Sequence, residues 1–225
     1  MSSKSVGYIG WTLLRSPRFF LLISVFVALS ILVNVGATSV LDELTSSIFR
    51  ILHGNNVLNL IMINLSLLGD TSTLLLLAIA LTIIKRTRKV GIVFLTCILI
   101  IIISSMYIKI LVGRHAPPIN FSYSLYRSQN QIIEEEVVSP LAKNLSYPAS
   151  HIAIVTCFAY IIELKIVSKS KLLAILIWSY PLFMAFSRLY VMQYYLADII
   201  GGFLLGLIIG MGISSIMRLN PYNRQ

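Results

Sequence analysis

The 225-residue chain is 57% hydrophobic and 12% charged, with a mean hydropathy of +0.89. Soluble domains are about 45–50% apolar and about 25% charged, so this composition excludes a soluble globular domain. The formal charge of +10 does not indicate a nucleic-acid partner, because the basic residues fall in short clusters between apolar runs. We predict an all-α, polytopic membrane protein that forms a single membrane domain over residues 1–225.

Six apolar runs approach the length that crosses a bilayer, roughly 20 residues. They lie near 19–36, 57–84, 90–112, 151–167, 171–187 and 195–217. The second run contains the polar residues Asn59, Asn64 and Asp70, and it has two interpretations. It forms either one span, or an interfacial helix up to Leu68 followed by a shorter span. The segment 38–56 mixes polar and apolar residues and could lie along the membrane surface.

Basic residues between the runs predict the orientation in the membrane. They form four clusters: Lys4, Arg15 and Arg18; Lys85, Arg86, Arg88 and Lys89; Lys165, Lys169 and Lys171; and Arg218 and Arg224. With six spans, all four clusters share one side, which should be the cytoplasm. Both termini are then cytoplasmic, and segments 37–56, 113–150 and 188–194 face the outside of the cell membrane. Asn-x-Ser sequons at Asn120 and Asn144 fit that location.

Three polar groups are predicted to reach the external surface. They are residues 109–117 (KILVGRHAP), 148–151 (PASH) and 187–198 (SRLYVMQYYLAD). Polar residues that gather at one membrane depth are functional candidates. Lys109 offers a point charge, and Arg114 and Arg188 offer planar forks that match phosphate oxygens.

The second and third groups add further features that suit an anion. Ser150 can cap a helix that begins at His151, and the free N–H groups of that helix start favour an anion. Asp198 can orient a neighbouring side chain or restrain an arginine. The three groups together predict a site for an amphiphilic phosphate, with water on one side and lipid on the other.

The same groups resemble the three signatures of the type 2 phosphatidic acid phosphatase (PAP2) superfamily. These signatures are Lys, six residues, Arg-Pro; Pro-Ser-Gly-His; and Ser-Arg, five residues, His, three residues, Asp. The matching residues here are Lys109, Pro117, Pro148, His151, Ser187, Arg188 and Asp198. The resemblance covers about residues 60–215, including glycines that follow the third signature. It implies a PAP2-type core of about six transmembrane helices, and a phosphorylated membrane lipid or polyprenyl (di)phosphate as substrate.

Four positions depart from the family pattern: Ala149 and Ser150 replace the Ser and Gly of the second signature, and two further positions bear on the chemistry. Tyr194 stands where the family has its nucleophilic His, and Ala116 stands where it has the first-signature Arg. The resemblance implies that Asp198 would orient the nucleophile and that His151 would protonate the leaving oxygen. A phenol has a pKa of about 10 and is a weak nucleophile near neutral pH. We therefore expect weak or lost hydrolysis, leaving a protein that binds phosphorylated lipid headgroups or a membrane partner.

An active lipid or polyprenyl-diphosphate phosphatase with a non-standard nucleophile is the alternative. Tyr194 itself, His115 or His53 could attack, and Arg114 could replace the arginine that is missing at position 116. A third interpretation makes Tyr190, Tyr194 and Tyr195 an interfacial aromatic belt, and it is the preferred explanation of Tyr194 outside catalysis. No cofactor or metal is expected, because arginine and lysine supply positive charge and no His/Cys/carboxylate cluster is evident.

Overall fold

The computed structural model describes residues 16–52, 56–117, 142, 144–166 and 171–219. These residues form eight helices and no strand, apart from one isolated antiparallel bridge between His115 and Leu145. The helices are α1 Pro17–Asn34, α2 Ser39–Leu52, α3 Asn56–Leu68, α4 Thr71–Ile83, α5 Arg88–Val112, α6 Ser150–Ile166, α7 Lys171–Tyr190 and α8 Leu196–Ile216. The predicted all-α fold is confirmed.

Several of these helices are long and apolar enough to cross a membrane. Within the described residues, α1, α5, α7 and α8 each qualify, and α3 with α4 qualifies as a fifth if the pair counts as one bent span. The remaining predicted span, at 151–167, corresponds to α6, whose 17 residues fall short of the roughly 20 of a straight crossing. It packs against α5, α7 and α8, and most of its side chains are buried. The chain is a multi-pass α-helical membrane protein.

The predicted span at 57–84 is broken after Leu68, and its two halves, α3 and α4, meet at an angle of 46°. Asp70 occupies the N-cap position of α4, but its side chain makes no capping hydrogen bond. Its carboxylate instead accepts a hydrogen bond of 2.5 Å from the guanidinium of Arg188 on α7. Tyr180 of α7 donates to the Leu68 carbonyl at 2.8 Å. A break in an apolar segment needs such partners for its freed backbone groups, and α7 supplies them.

Helix α2, within the segment 38–56 that could lie along the membrane surface, is amphipathic. Asp42, Ser46 and Phe49 are buried on one face. The opposite face exposes the large apolar residues Val40, Leu41, Leu44, Ile48 and Ile51. Helices with one apolar and one polar face are typical of the interface between headgroups and acyl chains.

Glycines on α8 allow its backbone to approach α6 closely. A Cβ atom on Gly202 would lie 2.3 Å from the carbonyl oxygen of Ala149, and one on Gly206 would lie 2.3 Å from that of Ala153. Small residues four apart are the usual means of close helix packing in membranes. This packing brings the start of α6 next to the start of α8, and so joins the second and third signature segments.

A glycine-to-alanine pair on α8 tests this packing. Gly206→Ala places its methyl group against the Ala153 carbonyl and should destabilise the fold by roughly 1–3 kcal/mol. Gly212→Ala is the matched control, since a Cβ there meets nothing within 4 Å. Thermal unfolding in detergent, followed by far-ultraviolet circular dichroism, measures both variants. Equal midpoints for the two variants would contradict close α6–α8 packing.

Candidate phosphate site

The three signature segments meet at one end of the bundle, where α5 and α7 end and α6 and α8 begin. Backbone hydrogen bonds join them: Ser146 N–H donates to the Arg114 carbonyl at 2.9 Å, and Ala149 N–H donates to the Asp198 carbonyl at 3.0 Å. We call this the site end. At the opposite end, which we call the basic end, the Lys89 ammonium donates to the Arg218 carbonyl at 2.8 Å. The predicted convergence of the three segments is therefore present in the fold.

Arg114 is held between two buried carboxylates. Its Nη2 lies 2.5 Å from Asp42 Oδ2, and its Nη1 lies 3.0 Å from Asp198 Oδ1. Its guanidinium also stacks 4.3 Å above the centre of the Tyr195 ring. Burial raises the pKa of the Tyr195 phenol above its ordinary value, so this ring is neutral at physiological pH. Arg114 is thus restrained by carboxylates on both sides.

The same two carboxylates secure the start of α8. Asp42 Oδ1 accepts a hydrogen bond from Ala197 N–H at 3.0 Å, and Asp198 Oδ2 accepts one from Tyr195 N–H at 2.8 Å. Both donors lie in the first turn of the helix or just before it, where N–H groups have no partner within the helix. Of the two predicted roles for Asp198, the structure therefore shows restraint of an arginine, and the arginine is Arg114.

Arg188 is fully buried inside the bundle. Its Nη2 donates to Asp70 Oδ1 at 2.5 Å and to the Ser66 carbonyl at 3.1 Å, and its Nη1 donates to the side-chain oxygen of Gln193. Within the described part of the chain, its Nε has no hydrogen-bond partner. A phosphate that bound Arg188 would have to compete with the Asp70 carboxylate.

His151 and Tyr194 lie side by side. His151 Nδ1 and the Tyr194 hydroxyl are 3.0 Å apart, and Tyr194 is only 4% exposed. A residue of an aromatic belt lies on the outer surface at headgroup level. The belt interpretation of Tyr194 is therefore wrong, because this ring points into the bundle, towards the second-signature histidine. Tyr190 is also buried and donates to Asn59 of α3.

The remaining candidates are distributed around this pair. Lys109 is buried in the last turn of α5, and Ser150 is buried as the first residue of α6. His115 is exposed on the loop after α5, and the neighbouring Ala116 N–H donates to the Asn144 carbonyl at 2.9 Å. His53, which was a candidate replacement nucleophile, and the sequon at Asn120 lie outside the described residues.

Two carboxylates of the site end went without a role in the sequence analysis. Asp42 lies in segment 37–56, for which the sequence predicts only an external location, and Asp70 was noted only as a polar residue of the second run. A carboxylate inside or beside an apolar segment is energetically unfavourable unless a cation pairs with it. Both residues could therefore have been predicted to have a cationic partner. No group of three or more His, Cys, Asp or Glu side chains in the described ranges could hold a metal ion.

Replacing Arg114 tests the charge arrangement. Arg114→Gln would leave two buried carboxylates without their cation, and should lower the free energy of unfolding by at least about 3 kcal/mol. Arg86→Gln, at an exposed position of the basic end, is the matched control and should have almost no effect. Thermal unfolding in detergent compares them. An Arg114→Gln protein as stable as the control would contradict a structural role for this cation.

Comparisons with known proteins agree with the three signatures. The profile of the PAP2 superfamily matches residues 89–222, more than half of the chain. An undecaprenyl-diphosphatase of Sulfolobus acidocaldarius is 27% identical over 195 residues, which cover 86% of this chain and 88% of that protein. The crystal structure of a transmembrane PAP2-type phosphatidylglycerolphosphate phosphatase from Bacillus subtilis superposes with a TM-score of 0.67 at 20% identity. That match covers 88% of this chain and 94% of the other. This chain therefore belongs to the PAP2 superfamily of membrane lipid and polyprenyl-diphosphate phosphatases.

Proposed function

We propose that the site end binds a phosphorylated membrane lipid or a polyprenyl (di)phosphate, and that it hydrolyses this ligand weakly or not at all. The observation that carries the proposal is the phenol of Tyr194 at the nucleophile position, buried and hydrogen-bonded to His151. An imidazole near neutral pH has a free lone pair, whereas a phenol is mostly protonated. The group that should attack phosphorus is thus replaced by a weak nucleophile.

The surrounding charges support the same proposal. The carboxylates of Asp42 and Asp198 engage Arg114, and that of Asp70 engages Arg188. Asp198 pairs with Arg114 and the Tyr195 amide, which is a different role from orienting a nucleophile at position 194. A phosphate bound at the site end would have Lys109, Ser150 and His151 as neighbours. The two arginines could bind it only after they break their ion pairs with the carboxylates.

One contact favours the alternative of an active phosphatase. The 3.0 Å separation of His151 Nδ1 and the Tyr194 hydroxyl suits a base beside a nucleophile. In that mechanism the phenol oxygen attacks phosphorus while its proton passes to His151, which then protonates the leaving oxygen. Water attacks the phosphotyrosine next, giving its proton to His151, and phosphate leaves as the phenol is reprotonated. The intermediate would be a phosphotyrosine, which is stable to alkali. The Tyr194→Phe variant would not form it, because it has no phenol oxygen.

Phosphate release separates the two functions. The purified protein in detergent should release little phosphate from phosphatidic acid or polyprenyl diphosphate. Tyr194→His combined with Ala116→Arg restores the family's nucleophile and its first-signature arginine, and should gain activity. If the unmodified protein turns over, and His151→Ala lowers the rate by about 100-fold or more, the proposal of weak hydrolysis is wrong and the alternative holds. A protein that neither hydrolyses nor binds these lipids contradicts both functions.

We also propose that the site end faces the cell exterior and that both termini are cytoplasmic. The basic residues at the α4–α5 junction lie at the basic end, as does the contact between Lys89 and Arg218. Short loops rich in lysine and arginine stay in the cytoplasm. This arrangement supports access to the site from the outer leaflet.

Cysteine labelling tests this orientation. Both native cysteines, Cys97 and Cys157, are buried and free, so they give little background. His115→Cys at the site end should react with a membrane-impermeant maleimide on intact cells. Arg86→Cys at the basic end should react only after the cells are permeabilised. The reverse pattern would place the site in the cytoplasm.

A further inference from the structure

A cavity of about 400 Å³ opens at the site end, next to the proposed phosphate site but separate from the His151–Tyr194 pair. It lies between α2, the loop after α5 and the loop before α8. Its charged and aromatic lining includes Asp42, Glu43, Arg50, Arg114, His115 and Tyr195. Pockets for small ligands have volumes of about 300–1,000 Å³, so the cavity can hold a lipid headgroup but not a protein segment.

The two faces of helix α2 indicate that this cavity lies at the depth of the lipid headgroups. Five residues of α2 line the cavity and form one polar face, because each lies three or four positions from another member of the set: Ser39, Asp42, Glu43, Ser46 and Arg50. The large apolar residues of α2 lie on the opposite face and are exposed. An amphipathic helix of this kind lies in the interface plane, with its polar face among headgroups.

The cavity is lined by two carboxylates and two arginines, and only one carboxylate and one arginine form an ion pair with each other. The Asp42 carboxylate binds the Arg114 guanidinium, whereas Glu43 and Arg50 are exposed and form no ion pair with another residue in the described ranges. They lie seven residues apart on α2, which is about 10 Å along a helix axis. One anion and one cation thus remain available at the cavity wall, two helical turns apart. A ligand with a single charge would satisfy only one of them.

The two walls of the cavity lie on either side of the boundary of the PAP2 profile match. The PAP2 profile matches residues 89–222, and α2 precedes that range. The opposite wall, which carries Arg114 and Tyr195, lies inside it. The cavity thus joins the core that the profile matches to a helix that precedes it.

We propose that this cavity binds a zwitterionic headgroup that carries a phosphate and a primary ammonium, as in phosphoethanolamine lipids. Arg50 and His115 receive the phosphate, and Glu43 receives the ammonium. A primary ammonium donates hydrogen bonds to a carboxylate, whereas a quaternary ammonium has no N–H to donate. The cavity therefore selects ethanolamine over choline, and selects both over a headgroup without a cation. This binding does not require hydrolysis at Tyr194.

Isothermal titration of the full chain in detergent tests the proposal. The probes are dihexanoyl-phosphatidylethanolamine, -phosphatidylcholine and -phosphatidylglycerol, each below its micelle concentration, with free phosphoethanolamine to measure the headgroup alone. The ethanolamine lipid should bind most tightly, and free phosphoethanolamine should bind more weakly at the same site. Glu43→Gln and Arg50→Gln should each weaken binding of the ethanolamine lipid roughly tenfold.

Control variants distinguish loss of headgroup binding from effects on folding or on the Tyr194 site. Glu163→Gln and Arg86→Gln remove the same charges outside the cavity and should bind like the unmodified protein. Tyr194→Phe should also bind normally, because the Tyr194 hydroxyl contacts His151 and Tyr194 is not part of the cavity lining. Equal affinity for the three lipids, or unchanged affinity in both Glu43→Gln and Arg50→Gln, would overturn the proposal. Neither result would bear on the phosphate-release assay.

Discussion

The ion pairs of Arg114 with Asp42 and Asp198 are the interaction on which the site end depends. Three separate parts of the chain meet in this cluster: α2, the loop after α5 and the start of α8. Both carboxylates also accept backbone N–H groups at the start of α8, so the cluster satisfies donors that the helix leaves open. In a medium of low dielectric a buried charge without a partner is costly, and each member of the cluster requires the others.

A second buried pair, Arg188 with Asp70, has the corresponding role inside the bundle. It connects the last turn of α7 to the break between α3 and α4, where backbone groups leave the helical pattern. The two sets of ion pairs, those of Arg114 and that of Arg188, have the same consequence for the binding of an anion. Both arginines that could hold a phosphate are already neutralised by carboxylates, so an incoming anion meets less positive charge than the sequence alone suggests.

Tyr194 links the fold to the proposed function. Its ring is buried beside His151 because the close α6–α8 contact, made possible by Gly202 and Gly206, brings the second and third signatures together. The same packing would bring a histidine at position 194 close to His151. The framework of the phosphatase family is thus retained around a tyrosine at position 194.

The sequence alone determined the class of the protein, the approximate spans and the segments that meet at the site. These follow from hydropathy, from the length needed to cross a bilayer and from short motifs, which are local properties of the chain. It also indicated the break near Leu68, through the polar residues around it, and the departures from the family signatures, among them Tyr194 and Ala116. The sequence alone did not show which carboxylate pairs with which arginine. Asp42 and Arg114 are 72 positions apart, and Asp70 and Arg188 are 118 positions apart.

Only the tertiary structure decided which carboxylate binds which arginine, whether Tyr194 faces lipid or His151, and where a cavity remains. The physical reason is that ion pairing and burial depend on distances between helices, and helix packing sets those distances. Hydropathy reports that a segment is apolar, but it does not report which of its faces meets a neighbour. For this chain the sequence therefore identifies the membrane phosphatase framework. The packing of α2, α6 and α8 determines which of its charged groups are engaged and which remain available to a ligand.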